Sequence, residues 1–164
     1  MVTPNVEFAK EIADAGGAEV KMCFQCGTCT ASCPSGRHTS YRVRKLMRMA
    51  QLGMKNEILS SEELWDCTTC YACEERCPRT VPIVDIIISL RNMAVAEGHM
   101  FENHKKTAQS LYSIGHTVSI NDSVREKRTA LGLPAEPPTV LSNPEAMAQL
   151  KKILDATGFD KIVE

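Results

Sequence analysis

Four cysteines fall within eleven residues in "CFQCGTCTASCPSG", which begins at Cys23, and the arrangement returns in "CTTCYACEERCPRT", which begins at Cys67. Both runs read C-x2-C-x2-C-x3-C-P, and each cysteine of the second lies 44 positions after its counterpart in the first. The first set is Cys23, Cys26, Cys29 and Cys33, followed by Pro34; the second is Cys67, Cys70, Cys73 and Cys77, followed by Pro78. These are all eight cysteines of the chain, so whatever the first run holds, the chain holds twice.

The spacing suits a cubane iron–sulfur cluster. A cubane has four iron corners, each taking one thiolate. Three thiolates two residues apart on a tight loop reach three corners of one cube, and the proline turn carries the fourth away to ligate the other cluster of a pair. This pattern assigns Cys23, Cys26, Cys29 and Cys77 to one [4Fe–4S] cluster and Cys67, Cys70, Cys73 and Cys33 to a second. Crossed ligation of this kind makes the two clusters neighbours. Disulfides are the poorer reading, because nothing in the N-terminal segment resembles a secretory leader and cytosolic thiols stay reduced. Structural zinc is poorer too, since its four-cysteine sites use two separated C-x2-C pairs rather than three cysteines in seven residues.

Composition narrows the class further. The formal net charge is −1, which argues against a nucleic-acid binder with its basic footprint. Only 5% of residues are aromatic, so the core must be aliphatic and rich in methionine. The most apolar stretch, "VPIVDIIISLRNMAVA", is interrupted by Asp85 and Arg91 and is too short to span a bilayer. These features predict a soluble, cytoplasmic protein.

Around the cysteines the pattern is helical. Thr3 and Pro4 open a first helix with Phe8 and Ile12 on one face and Gly16 as its stop. After the first run, Leu46, Met49, Ala50 and Gly53 fall at helical spacing. Ser60 and Glu63 have the spacing of a capping box leading into the second run. Ile83, Ile86, Ile87, Leu90 and Ala94 share a face of a helix that starts near Pro82 and ends at Gly98. Asn143, Pro144 and Gly158 mark the cap, first turn and stop of a last helix, and "LGLPAEPPTVLSNP" before it reads as an extended linker.

The 33 residues between Cys33 and Cys67 leave room for a full helix, unlike the short connection of βαβ-type ferredoxins. The expected fold is therefore all-α: an α-helical ferredoxin with two cluster-binding loops related by a pseudo-two-fold. The cluster domain spans 18–98, with helical extensions over 1–17 and 99–164, the latter long enough to wrap a partner.

Other residues carry two readings each. Gly27 and Thr28 permit close backbone approach to the first cluster and hydrogen bonds to its sulfurs. Glu74 and Glu75 are either solvated surface or a brake on the potential of the second cluster. Trp65 and Tyr71 read as shielding or packing groups rather than electron relays. The basic run Arg37, Arg42, Arg44, Lys45 and Arg48 is either a docking site for an acidic partner, a means of raising a cluster potential, or a solvated helix face. His38, His99, His104 and His116 form no ligand-spaced set and read as surface or packing residues. There is no G-x-G-x-x-G dinucleotide fingerprint and no Cys-Cys pair.

With both motifs, the intervening "YRVRKLMRMAQLG" and "SSEELWDC", and the following "VPIVDIIISLRNMA", the chain resembles the C subunit of the soluble CoB–CoM heterodisulfide reductases of methanogenic archaea. The resemblance covers residues 18–100 most specifically. Its cluster module is also similar to those of anaerobic glycerol-3-phosphate dehydrogenase, glycolate oxidase and the iron–sulfur subunit of succinate dehydrogenase. The resemblance implies an oxidoreductase component without a catalytic site of its own. It implies one-electron transfer from a flavin-containing, bifurcating A subunit to a catalytic B subunit, built on Cys-Cys-Gly motifs, that reduces the CoM–CoB mixed disulfide in methanogenesis. It further implies a larger complex with a hydrogenase or formate dehydrogenase. The alternatives are the iron–sulfur subunit of a related anaerobic dehydrogenase, a stand-alone ferredoxin-type carrier, and a module whose clusters are structural.

Overall fold

Aliphatic side chains at helical spacing, punctuated by glycine and proline, build the chain as short helices. The computed structural model describes residues 4–17 and 20–163, and among them there is no strand. The architecture is the expected all-α one. The chain folds into two compact units, one running to Met100 and the other beginning at Phe101.

In the first unit, α1 (Phe8–Ile12) enters from Asn5, whose side-chain oxygen accepts from the Glu7 backbone N–H at 3.0 Å. Thr3, expected as its cap, lies outside the described residues. The helix widens into a π-type turn over Ala13–Gly17 and stops at Gly16, which takes φ 88°. Phe8 and Ile12 are fully buried. The short α2 (Thr28–Ser32) sits inside the first cysteine run. Then α3 (Val43–Gln51) buries Val43, Leu46, Met47 and Ala50, while Met49 is half-buried. It is followed by α4 (Lys55–Leu59), whose Ile58 and Leu59 are wholly buried.

No capping box forms between Ser60 and Glu63. Ser60 belongs to the end of α4, where its hydroxyl donates to the Asn56 carbonyl at 2.7 Å. The next segment is a 3-10 turn over Glu62–Asp66, too tight for the reciprocal bonds of a capping box, and Glu63 turns instead to Lys45 at 2.8 Å.

The second run contains α5 (Ala72–Glu75), the counterpart of α2 one repeat later, and these two helices pack together. The long α6 (Ile83–Ala96) buries Ile83, Ile86, Ile87, Leu90 and Ala94 as the spacing predicts, with Val84 and Ser89 in addition. Gly98 takes φ 83° just past its end. Ser89 escapes a desolvation penalty by donating to the Ala15 carbonyl at 3.1 Å, which ties α6 to the turn after α1. Lys55 reaches Glu11 at 2.9 Å and Glu97 at 3.0 Å, joining the α1 and α6 ends.

The second unit holds α7 (Glu102–Ile114), α8 (Asp122–Ala130), α9 (Pro144–Ala156) and α10 (Phe159–Val163). Asn143 caps α9 as expected, accepting from the Glu145 and Ala146 N–H groups at 3.1 Å, with Pro144 in the first turn. Val163 is its single buried hydrophobic residue among those described.

Candidate metal centre

The two cysteine runs fold alike because the backbone repeats with the sequence. Gln25 and Thr69 occupy equivalent positions and both have positive φ, 66° and 52°. Gly27 and Tyr71, the next equivalent pair, have φ of 88° and 61°. These left-handed residues wrap each loop so that its first three thiols face one side; glycine takes the geometry freely, while Gln25, Thr69 and Tyr71 take it at a strain cost of about 1–3 kcal/mol each. Burial also repeats: Cys26 and Cys70 are exposed, Cys29 and Cys73 buried, Cys23 and Cys67 intermediate.

The thiols of each loop do not close on a cavity by themselves. One cavity, with about 320 Å3 of empty space, is lined by Cys23, Cys26 and Cys29 together with Cys77 from the other run. A second, with about 270 Å3, is lined by Cys67, Cys70 and Cys73 together with Cys33. All eight thiols are free. Among the described residues no three Cys, His, Asp or Glu side chains converge on a single-ion site; the thiols stand around volumes instead.

Donors are aimed at the sulfurs. The Gly36 N–H points to Cys33 Sγ and the Val81 N–H to Cys77 Sγ, each at 3.4 Å. Gln25 Nε2 donates toward Cys23 Sγ at 3.5 Å, while the Cys26 thiol itself donates to Thr28 Oγ1 at 3.4 Å. Contact with Thr28, side chain and backbone, holds the exposed Cys26 thiol below its ordinary range. Burial pushes Cys29 up, and pushes Cys73 up to about 12 with help from neighbouring Cys67. Four thiols per cavity with N–H groups directed at them fit a [4Fe–4S] cluster, whose bound thiolates are stabilised by such donors.

Side chains from the long helices hold the loops. Gln51 at the end of α3 donates to the Cys23 carbonyl at 2.7 Å and the Val20 carbonyl at 3.1 Å. Arg91 of α6 does the same for the second loop, donating to the Cys67 carbonyl at 2.7 Å and the Leu64 carbonyl at 3.0 Å, with its guanidinium 5.5 Å from the Trp65 ring centre. The first cysteine of each run is thus anchored by the helix that follows. Tyr41 is 1% exposed and lines the second cavity together with Cys67. Burial lifts its phenol far above the ordinary range, so it stays a proton donor.

Of the residues with two readings, Glu74 is half-buried and accepts from the Val84 N–H at 3.1 Å, tying the second run to the first turn of α6, while Glu75 is exposed. Trp65 is half-buried against the core, and Tyr71 lines the second cavity with 44% exposure. Arg42 donates to the Gly36, Thr39 and Tyr41 carbonyls and closes the turn before α3. His38, His99 and His104 lie on the surface and His116 is half-buried. Gln51, Arg91 and Tyr41 carry no recognisable spacing and escape a reading of the sequence.

An all-helical chain with two four-thiol cavities belongs to the class of dicluster iron–sulfur proteins, and a family profile described as "4Fe-4S dicluster domain" matches residues 19–81. The chain is 51% identical over 157 residues to the C subunit of the H(2):CoB-CoM heterodisulfide,ferredoxin reductase of Methanothermobacter thermautotrophicus, covering 96% of this chain and 85% of that one. It is 49% identical over 144 residues to the iron-sulfur C subunit of the CoB–CoM heterodisulfide reductase of Methanopyrus kandleri, covering 88% and 75%. It is 42% identical over 152 residues to the C subunit of the Ferredoxin:CoB-CoM heterodisulfide reductase of Methanosarcina mazei, covering 93% and 94%. The chain belongs to the family of heterodisulfide reductase C subunits. Among the described residues no helix is long and apolar enough to cross a membrane.

Proposed function

We propose that this chain is the one-electron relay of a CoB–CoM heterodisulfide reductase, passing electrons from a flavin-containing A subunit to a catalytic B subunit. The observation that carries this reading is the crossing of thiols. Each cavity takes three cysteines from one run and one from the other, the ligand pattern of two adjacent cubanes. Cys23, Cys26, Cys29 and Cys77 would hold cluster one, and Cys67, Cys70, Cys73 and Cys33 cluster two. When bound, the clusters supply one-electron storage at two neighbouring points.

The chain's own residues do the remainder. Gly36, Val81 and Gln25 donate toward the sulfurs of Cys33, Cys77 and Cys23 and would favour the more negative, reduced state of clusters held there. Gln51 and Arg91 fix the loops so that little rearranges between redox states. Eight thiolates would fill the eight iron corners of two cubes and leave no corner for a substrate sulfur, which favours a non-catalytic role for the chain by itself. The names of several relatives, which include H(2) and H(2)/formate, favour a larger assembly with a hydrogenase or formate dehydrogenase. The scarcity of buried side chains in the second unit favours residues 99–164 as an extension that wraps a partner, beside a cluster domain at 18–98 and a short extension at 1–17. A cytoplasmic site of action follows from this role.

The test is reconstitution. The cluster-loaded chain should reduce no heterodisulfide alone, yet should restore electron flow between separately purified flavin and Cys-Cys-Gly subunits. Cys70→Ala should interrupt that flow while leaving the catalytic partner active with a dye that donates to it directly. Turnover by the isolated chain, or undiminished flow with the variant, would refute the relay.

A further inference from the structure

An open groove lies beside the first cavity. Its walls carry Lys21, Arg42, Arg44, Lys45 and Arg48, its apolar lining includes Phe24, Met49 and Leu52, and no Asp or Glu lines it. The chain as a whole has 19 basic against 20 acidic residues, so this concentration of positive charge is local. Two of the five cations are engaged: Lys45 with Glu63 at 2.8 Å, and Arg42 with three backbone carbonyls. Arg44 and Arg48 are exposed, and among the described residues neither pairs with a carboxylate.

The groove belongs to one half of the pseudo-repeat. Aligning α6 on α3 by their first residues, which also matches Gln51 to Arg91, puts Pro82, Val84, Asp85 and Ile88 where Arg42, Arg44, Lys45 and Arg48 stand, so the second half carries no such positive charge. Phe24 follows Cys23 directly, is 59% exposed, and lines both the groove and the first cavity. Arg44 also lines both. A surface seated here would cover an exposed aromatic ring and come within one residue of a cluster ligand.

We propose that this groove docks an acidic protein segment of one electron-exchange partner, with carboxylates on Arg44 and Arg48 and an apolar side chain against Phe24. The inference rests on the relay reading and adds the face, and the cluster, at which one partner engages. Charge complementarity selects the occupant. The space, about 920 Å3, stands at the upper end of the roughly 300–1,000 Å3 of small-molecule sites and lies open to solvent, which suits a protein segment better than a small anion that needs enclosure. The apolar lining and the net charge of −1 disfavour a nucleic acid. The second cluster remains free to serve the other partner.

The experiment uses the full, cluster-loaded chain and the two partner subunits, each purified separately. Arg44→Glu/Arg48→Glu is compared with wild type and with Lys10→Glu/Arg37→Glu, which makes the same charge change at exposed positions of the first unit that do not line the groove. Reversing two contacts should weaken binding of one partner at least about tenfold at low salt and less than about threefold near 0.5 M, where screening removes the contribution. Binding of the other partner and the behaviour of the control should stay within about twofold of wild type, the size expected where no charge contact is lost. Arg48→Glu alone, at a position that does not line the cluster cavity, supplies the same comparison if the double variant loads poorly. Wild-type chain that binds neither partner overturns the relay reading and this inference together. Wild-type binding undiminished in the charge-reversed variants, or diminished equally in the control, overturns the inference alone. So does a groove whose reversal abolishes binding of inorganic phosphate or a short RNA while partner affinity is unchanged.

Discussion

Replacing Tyr41 by phenylalanine removes one oxygen from the wall of the second cavity and little else. The ring is 1% exposed and belongs to the aliphatic core, so its packing is retained. What disappears is a buried hydroxyl on the cavity wall that Cys67 also lines. Donated to a cluster-bound Cys67 thiolate, such a hydroxyl would contribute about 1.5–3 kcal/mol, and only the part that strengthens on reduction moves a potential. At 59 mV per 1.4 kcal/mol for one electron, a strengthening of about 1 kcal/mol corresponds to about 40 mV, and the whole bond to no more than about 130 mV. The sign follows from charge. Reduction makes the cluster more negative, the lost donor favoured that state, and the variant's potential must fall. Burial keeps the contact from mobile ions, so the shift should be the same at low and high salt. An anoxic redox titration followed by electron paramagnetic resonance should find one of two potentials lowered by about this amount and the other unmoved. Equal movement of both, no movement, or a rise would refute the placement of Tyr41 on cluster two.

Three further outcomes are expected. Anoxically reconstituted protein should hold about eight irons and eight sulfides per chain, and stoichiometric zinc without sulfide would contradict the cluster reading. Cys77→Ser should perturb the cluster held by Cys23, Cys26 and Cys29, and Cys33→Ser the one held by Cys67, Cys70 and Cys73, as selective labelling or spectroscopy of each variant would reveal; the reverse pattern would undo the crossed assignment. Gly53→Ala should lower stability by about 2–3 kcal/mol in reversible unfolding, from the left-handed backbone and from displacement of a packed segment. Gly53 has φ 69°, and a Cβ there would stand 2.8 Å from the Asn5 carbonyl carbon, displacing the Asn5 N–H that now donates to the Gly53 carbonyl at 2.7 Å; a loss below about 0.5 kcal/mol would mean that the N-terminal segment is not seated as described.

The parts legible in the sequence are those whose physics is local. Thiolate spacing within each run follows from the size of a cube, so both cysteine sets could be read directly. The α6 face was legible because Ile83, Ile86, Ile87, Leu90 and Ala94 repeat with the helical period and nothing interrupts them. Asn143 capped as expected because a cap acts within three residues. The Ser60–Glu63 spacing misled because Lys45, eighteen positions before Glu63, offered that carboxylate a better partner. Gln51 and Arg91 were invisible for a related reason. They act on carbonyls 28 and 24 residues away, and backbone carbonyls leave no mark in a sequence. Tyr41 has no period or motif either; only the folded cavity places it beside Cys67.

Crossed thiols also bear on why two similar sites in one small fold need not behave alike. Because Cys33 and Cys77 each reach the other run's cavity, and α2 packs on α5, the separation of the sites is fixed by the chain and not by the docking of loose parts. The backbone repeat makes the two cysteine loops alike, down to the paired left-handed residues. The side chains that line the two cavities differ, and the largest differences flank the loops. The first cavity looks out past Arg44 and Arg79 toward a basic groove, where solvent screens each charge over about 8 Å at physiological salt. The second is backed by a buried phenol in a medium that screens poorly. Exposed charge changes with what docks on it, while a buried phenol does not. Under the relay reading, the first site is the one whose potential a partner adjusts on binding, and the second is the fixed reference against which it hands over its electron.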